Sequence, residues 1–188
     1  MNQVLPAWKR NLPNWITWFR ILIVPIIVIA LGRGTVEGGY AAAVIFVLGS
    51  ISDYFDGSLA RQWGVVSSFG KFMDPIADKI LVTSTLVMLI PSGRLDVYMV
   101  LILLARDTLV GGIRSVAASE NVVIPAGVLG KWKTAIQMVA IPAVLIHEPL
   151  LGVPVGRIGY WILWASVALS VVSGIDYVWD YLKRRRQA

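Results

Sequence analysis

The stretch Ile21–Leu31, ILIVPIIVIAL, contains no polar side chain and lies inside the first of six apolar segments. A helix that spans a membrane needs roughly 20 predominantly apolar residues. Most of these segments approach that length only when charged residues at one end are included. The sequence therefore predicts an all-α polytopic membrane protein with six transmembrane helices. The six segments are Ile16–Leu31, about Tyr40–Ala60, about Phe72–Pro91, Val97–Ala118, Leu129–Ile146 and Ile158–Tyr181.

The composition excludes several classes of protein. The 188 residues are 57% hydrophobic and only 15% charged, and the mean hydropathy is +0.73. Since ordinary soluble domains are about a quarter charged, a typical soluble enzyme and a disordered chain are both excluded. The chain has no cysteine and a single histidine, His147, so thiolate chemistry and multi-histidine metal sites are excluded too. We expect His147 to lie in a loop.

Positive charge is distributed unevenly along the chain. If the N-terminus is cytoplasmic, the inner ends of the helices hold most of the Lys and Arg residues, as the positive-inside rule requires. The sequence therefore predicts that both termini are cytoplasmic, with the segment Asn2–Trp15 in the membrane interface. The net charge of +6 favours anchoring or contact with anionic lipids and substrates, not nucleic acid. No repeat or linker is visible, which predicts a single domain over residues 1–188.

Four aspartates occur in the stretch Ser52–Lys79, SDYFDGSLARQWGVVSSFGKFMDPIADK. Asp53 and Asp56 are spaced i, i+3 and Asp74 and Asp78 are spaced i, i+4, so each pair shares one helix face. Four carboxylates packed together need cations, and oxygen ligands favour Mg²⁺ or Mn²⁺. The simpler alternative is that these aspartates are solvated helix ends.

The local chemistry of that stretch suggests a helical hairpin. Gln62–Phe69, with a glycine and two serines, reads as the turn that joins two antiparallel helices. The two carboxylate pairs would then face each other at the cytoplasmic end. Pro75 follows Asp74 directly, which suggests a helix start or a kink at that point.

The whole pattern is D-x-x-D-G-x-x-A-R followed by G-x-x-x-D-x-x-x-D, and it resembles the signature of the CDP-alcohol phosphotransferase family. Its residues are Asp53, Asp56, Gly57, Ala60, Arg61, Gly70, Asp74 and Asp78. The resemblance implies a homodimeric membrane enzyme that takes a CDP-linked lipid or alcohol, releases CMP and joins the phosphoryl group to a hydroxyl.

The resemblance also implies roles for individual residues. It makes Asp53, Asp56, Asp74 and Asp78 the ligands of the divalent metal, with Asp78 as the catalytic base. It makes Gly57, Ala60, Arg61 and again Asp53 part of the CDP site. Asn14 and Thr17 belong to an N-terminal motif that resembles the branch of the family making phosphatidylglycerol phosphate, and they are expected to contact the nucleotide. Alternatively, Asn14 caps the first helix and Thr17 is merely tolerated.

Four cations predict the acceptor site. Arg106 and Arg114 are eight residues apart on roughly one face of the fourth helix, and we place both in its cytoplasmic half. Lys131 and Lys133 belong to a G-K-x-K-T motif at Gly130–Thr134, which resembles the same branch. Together they suit an acceptor that carries its own phosphate, such as sn-glycerol 3-phosphate. We expect Asp107 to point away from Arg106, and simple positive-inside anchoring is the alternative reading of the lysines.

The expected activity is phosphatidyl transfer from CDP-diacylglycerol to sn-glycerol 3-phosphate in the cell (inner) membrane, at its cytoplasmic side. One alternative is a related transferase that acts on inositol phosphate or another alcohol. A different class, the divalent-cation transporters, also uses intramembrane carboxylates. Their carboxylates are expected near the bilayer midplane, whereas these cluster at one end of the helices.

Overall fold

The computed structural model describes residues 7–63, 68–120 and 127–185, with the backbone alone at 7–14, 53–63 and 68–72. Within these ranges the regular structure consists of six α-helices, so the prediction of an all-helical chain is confirmed. The helices are α1 (Ala7–Gly32), α2 (Val36–Trp63), α3 (Ser68–Met88), α4 (Val97–Ser119), α5 (Val128–Leu145) and α6 (Val155–Arg185).

Each of the six apolar segments forms one of these helices, but two details at the helix starts were wrong. Helix α1 begins at Ala7, so Asn14 lies inside it and cannot be its N-cap. Helix α3 begins at Ser68 and includes Pro75, so that proline does not start the helix. Pro75 is the eighth residue of α3, so its missing N–H removes one intrahelical hydrogen bond, to the carbonyl of residue 71. The kink at this proline stays a prediction. His147 lies between α5 and α6, as expected.

Polar and apolar side chains are distributed as in a membrane protein. The exposed surface of the helices includes Leu22, Val139 and Ile175, whereas Arg20 and Lys133 are buried. Water would penalise this arrangement, whereas hydrocarbon accepts the apolar surface and forces charged groups to the inside. The protein is therefore membrane-integral.

Three helical stretches of the described residues are long and apolar enough to cross a membrane by themselves. They are Trp15–Gly32 in α1, the whole of α5 and the whole of α6. Helix α2 contributes a shorter apolar run, Val36–Ser52. Helices α3 and α4 carry charged side chains between their apolar residues, which lowers their mean hydropathy.

The chain forms two compact units, Met1–Pro91 and Ser92–Ala188. In the first unit α1 packs against α2 and α3, and α2 also touches α3. The core of this unit includes Ile27, Phe46 and Leu81, all fully buried. The single domain over residues 1–188 stays a prediction.

In the second unit α6 packs along α5 and against α4. Glycine makes the α5–α6 contact close: a Cβ atom on Gly159 would lie 2.7 Å from Cβ of Ala143 and 2.9 Å from the carbonyl oxygen of Ala140. Because helix association in a membrane depends on such packing, this glycine fixes the separation of the two helices.

Candidate active site

The four aspartates lie on the two helices next to the 64–67 link. Asp53 and Asp56 belong to the last three turns of α2, and Asp74 and Asp78 to the first three turns of α3. At 1.5 Å per residue, Asp53 and Asp78 are each about 15 Å from the joined helix ends, and Asp56 and Asp74 about 10 Å. The backbone therefore carries the two pairs at matched distances from the link.

The Asp74 carboxylate is held by two side chains of α1. The Thr17 hydroxyl donates a hydrogen bond to Oδ1 of Asp74 over 2.5 Å, and Nη2 of Arg20 lies 3.4 Å from the same oxygen. Both partners are buried, with Arg20 at 0% exposure, while the Asp74 side chain is 37% exposed. A buried guanidinium needs a counter-ion, and Asp74 supplies one to Arg20 while the same contact helps to orient Asp74.

The second oxygen of Asp74 is the one available to a ligand. In the part of the chain that the structure describes, both contacts to this carboxylate reach Oδ1 and none reaches Oδ2. A carboxylate fixed at one oxygen and open at the other fits the oxygen coordination that Mg²⁺ and Mn²⁺ prefer. The donor chemistry is therefore compatible with a divalent metal.

Arg20 is a functional candidate to which the sequence reasoning assigned no role. Two features of the sequence could have identified it. Arg20 lies three residues after Thr17, hence on the same helix face, and it directly precedes the apolar stretch Ile21–Leu31. An arginine at such a position needs a partner. Thr17 was expected to contact the nucleotide, and the structure shows its hydroxyl on Asp74.

The remaining predicted residues of this unit are only partly described. Asp78 lies one turn beyond Asp74 on α3 and is half-buried. Among the described side chains no group of three or more metal ligands is complete. Six of the predicted side chains lie outside the described ones, so their roles stay predictions: Asn14, Asp53, Asp56, Gly57, Ala60 and Arg61.

An ion cluster joins α4 and α5 in the second unit. The Lys133 ammonium lies 2.5 Å from Oδ1 and 2.6 Å from Oδ2 of Asp107, and Nη1 of Arg106 lies 3.0 Å from Oδ1. The expectation that Asp107 points away from Arg106 was wrong. The two Cβ atoms diverge by about 100° around the helix, but the arginine side chain is long enough to reach back.

Helix α6 also contacts the Arg106 side chain. Its Nε donates to the carbonyl oxygen of Ser170 over 3.1 Å, and its Nη2 donates to the Ser173 hydroxyl over 2.8 Å. A Cβ atom on Gly174 would lie 3.1 Å from Cγ of Arg106, so this glycine leaves room for the arginine stem. The sequence reasoning missed these residues; their only signal was small size at i, i+3 and i+4.

The other two predicted cations have different surroundings. The Arg114 guanidinium lies 5.7 Å from the centre of the Tyr177 ring, a cation–π contact. Lys131 is exposed and makes no ion pair with any residue that the structure describes. Arg106 lies close to the middle of α4, and its place in the cytoplasmic half of that helix stays a prediction. The start of α5 lies close to Arg106, because a Cβ atom on Gly130 would lie 3.8 Å from Nη2 of Arg106.

Comparison with known proteins is consistent across nearly the whole chain. Residues 10–172 match the family model described as CDP-alcohol phosphatidyltransferase. Relatives named CDP-diacylglycerol–glycerol-3-phosphate 3-phosphatidyltransferase occur in Rickettsia felis, with 37% identity over 89% of this chain and 93% of that protein, and in Bacillus subtilis, with 37% identity over 92% and 97%. A relative of the same name in Mycoplasma pneumoniae is 36% identical over 73% of this chain and 68% of its own.

The family match runs through both compact units, from the helix that carries Thr17 and Arg20 to the helix that carries Ser170. It therefore includes the Asp74 site and the ion cluster of Arg106, Asp107 and Lys133, and it ends one residue before Ser173. The chain belongs to the CDP-alcohol phosphatidyltransferase family and is an enzyme of that family.

Proposed function

We propose that this enzyme transfers the phosphatidyl group of CDP-diacylglycerol to sn-glycerol 3-phosphate, giving phosphatidylglycerol phosphate and CMP. The observation that carries the proposal is that near-full-length relatives in Rickettsia felis and Bacillus subtilis are named for this reaction. An arginine in the middle of α4, inside a membrane protein, is the structural feature that fits a phosphorylated acceptor.

The chemical step requires an aligned hydroxyl and a place for its proton. The acceptor oxygen attacks the phosphorus of the phosphatidyl group, the bond from phosphorus to the CMP oxygen breaks, and CMP leaves with the electron pair. Asp78 accepts the hydroxyl proton. The divalent metal, held by Asp53, Asp56, Asp74 and Asp78, would neutralise the charge of the phosphate oxygens and of the leaving CMP.

Thr17 and Arg20 serve this step through Asp74. With Oδ1 held by both of them, Asp74 keeps one orientation before any ligand arrives. Such preorganisation places fixed charge where the transition state needs it. The CDP group is assigned to Asn14, Thr17, Asp53, Gly57, Ala60 and Arg61, as the family signature implies.

The acceptor phosphate is assigned to the cations of the second unit. Asp107 neutralises one of the two charges on Arg106 and Lys133, so this cluster retains a net positive charge. Lys131 and Arg114 add two more positive charges. A planar guanidinium can donate two parallel hydrogen bonds to two oxygens of a phosphate, and such charge-assisted bonds are roughly twice as strong as neutral ones.

The proposed setting is the cytoplasmic side of the cell membrane. Six helices cross the bilayer and both termini are cytoplasmic, as the apolar segments and the distribution of positive charge predict. The enzyme acts as a homodimer, as the resemblance implies. The charged residues of α3 and α4 would then have to face protein or water instead of lipid.

The test is a CMP-release assay with purified protein, CDP-diacylglycerol and Mg²⁺ or Mn²⁺. Glycerol 3-phosphate should be the best acceptor, ahead of glycerol and inositol 1-phosphate, and chelation of the metal should abolish CMP release. Arg106→Gln should raise the KM for glycerol 3-phosphate by about ten- to a hundredfold, the cost of one charge-assisted contact. The KM for CDP-diacylglycerol should change little.

The matched control is Arg157→Gln, which removes an exposed arginine at the other end of the helices. It should leave both constants unchanged. Equal use of plain glycerol and glycerol 3-phosphate by the wild type would contradict a phosphate site. A preference for inositol 1-phosphate would assign the enzyme to the related branch, and full turnover after dialysis against a chelator would exclude the metal.

A further inference from the structure

Asp107 connects two cations that differ in exposure. The Lys133 side chain is only 4% exposed, that of Arg106 is 17% exposed, and that of Asp107 is 29% exposed. A buried ammonium is costly unless it is paired, and Lys133 meets both oxygens of Asp107. Lys133 is therefore engaged in fixing the carboxylate, and Arg106 is the more open of the two cations.

The Arg106 guanidinium is held from three sides. Within the described residues, each of its nitrogens has one partner: Nε the Ser170 carbonyl, Nη1 Asp107 and Nη2 the Ser173 hydroxyl. A guanidinium carries five N–H groups, so one N–H on each terminal nitrogen remains for a ligand. The plane of the group is set before a ligand arrives.

We propose that Asp107 and Ser173 are positioning residues for the acceptor, because they hold Arg106 with its two remaining N–H groups ready for a phosphate. This inference rests on the proposed function and adds α6 to the acceptor site. Lys133 acts through Asp107 and does not need to touch the substrate. An arginine fixed in advance loses less conformational freedom on binding, so the arrangement contributes to affinity for the acceptor.

The decisive variant is Ser173→Ala, which removes the hydrogen bond that Ser173 accepts from Arg106 and the one that it donates to the Ser170 carbonyl, and leaves no buried charge unpaired. The KM for glycerol 3-phosphate should rise about two- to tenfold, the range for one hydrogen bond. The KM for CDP-diacylglycerol and the thermal unfolding midpoint should stay at wild-type values. Ser166→Ala is the matched control: it is another buried serine of α6, without a partner among the described residues, and its KM values should not change.

A double-mutant cycle tests whether Ser173 acts through Arg106. In the Arg106→Gln background, Ser173→Ala should raise the KM for glycerol 3-phosphate no further, since its target is gone. Asp107→Asn should raise the same constant more than Ser173→Ala does, because Lys133 and Arg106 both lose their counter-ion. If Asp107→Asn fails to fold, the double-mutant cycle of Ser173→Ala and Arg106→Gln still tests the positioning role.

Two failures can be told apart. If Arg106→Gln raises the KM for glycerol 3-phosphate but Ser173→Ala does not, the positioning role is wrong and the acceptor site stands. If Arg106→Gln itself has no effect on that constant, the acceptor site is wrong and the positioning role falls with it. A parallel rise of both KM values, or a lowered unfolding midpoint for Ser173→Ala, would make Ser173 a structural residue and overturn the proposal.

Discussion

At the scale of single residues, the most informative contact is the one between α1 and Asp74. A fully buried arginine and a buried threonine both reach one oxygen of a carboxylate that remains more than one third exposed. If Asp74 had only a structural role, its second oxygen would be expected to find a protein partner as well. The arrangement instead keeps an oriented, negatively charged oxygen open on one side.

Thr17→Val removes the hydroxyl that orients Asp74 while it keeps the shape of the side chain. Hydrogen bonds to charged groups contribute about 1.5–3 kcal/mol, so kcat should fall about ten- to a hundredfold. The Mg²⁺ concentration that gives half-maximal activity should also rise. Thr85→Val is the control, because Thr85 is equally buried but donates only within its own helix, to the Leu81 carbonyl. Equal kinetics for the two variants would argue against the role of Thr17.

Asp78→Asn separates the proposed base from a purely binding role. The amide cannot accept the acceptor proton, and loss of a general base costs typically about 10²–10⁴-fold in rate. CDP-diacylglycerol should still bind in the presence of metal, measured by equilibrium binding, while CMP release fails. Asp180→Asn, at an exposed position of α6, should behave as wild type. Near-normal turnover of Asp78→Asn would assign the proton to another group.

At the scale of helices, small residues decide how closely the elements approach. Gly49 of α2 is packed against α1 and α3, since a Cβ there would lie 2.6 Å from Cδ1 of Ile23. Gly159 allows α6 to approach α5 in the same way, but there the nearest atoms include backbone atoms of Ala140 and Val144. Backbone cannot move aside as a side chain can, so the α5–α6 contact should tolerate substitution less well.

Gly159→Ala tests this contact. The added methyl group would overlap Ala143 and the carbonyl of Ala140, and overpacking typically costs about 1–3 kcal/mol of unfolding free energy. The thermal unfolding midpoint in detergent should therefore fall. Gly112→Ala in α4 is the control, because no atom lies within 4 Å of its Cβ position and alanine is the better helix former. An unchanged unfolding midpoint for Gly159→Ala would show that α5 and α6 can move apart without loss of stability.

At the scale of the whole molecule, the proposed orientation follows from charge. If six helices cross the membrane, the basic residues on either side of the 64–67 link, at the start of α5 and at the end of α6 lie on one side of it. The candidate catalytic aspartates would then lie on that same side. Substrates made in the cytoplasm would then reach the site without crossing the bilayer.

The absence of cysteine from the chain makes this orientation directly measurable. Glu148→Cys, in the loop between α5 and α6, should react with a membrane-impermeant maleimide in intact cells. Ser119→Cys, at the end of α4, should react only after permeabilisation. Both positions are exposed in the structure, so accessibility to the reagent depends on the side of the membrane. The opposite labelling pattern would invert the topology, and labelling of both in intact cells would contradict six spans.

The sequence by itself determined the six helices, the membrane setting and the family signature, because each depends on residues that are close in the chain. Hydropathy over twenty residues, or carboxylates at i and i+4, need no knowledge of the fold. Helix starts were less predictable: Asn14 looked like a cap and Pro75 like a helix start, yet both lie inside helices. Local propensity was overridden there by the longer helix around each residue.

Only the tertiary structure decided which side chains meet. Thr17 and Asp74 are separated by 57 residues, Asp107 and Lys133 by 26, and Arg106 and Ser173 by 67. No local pattern encodes these pairs, because they arise when helices pack and each buried charge must find a partner. This is why the sequence gave Asp107 the wrong orientation and gave Arg20 and Ser173 no role.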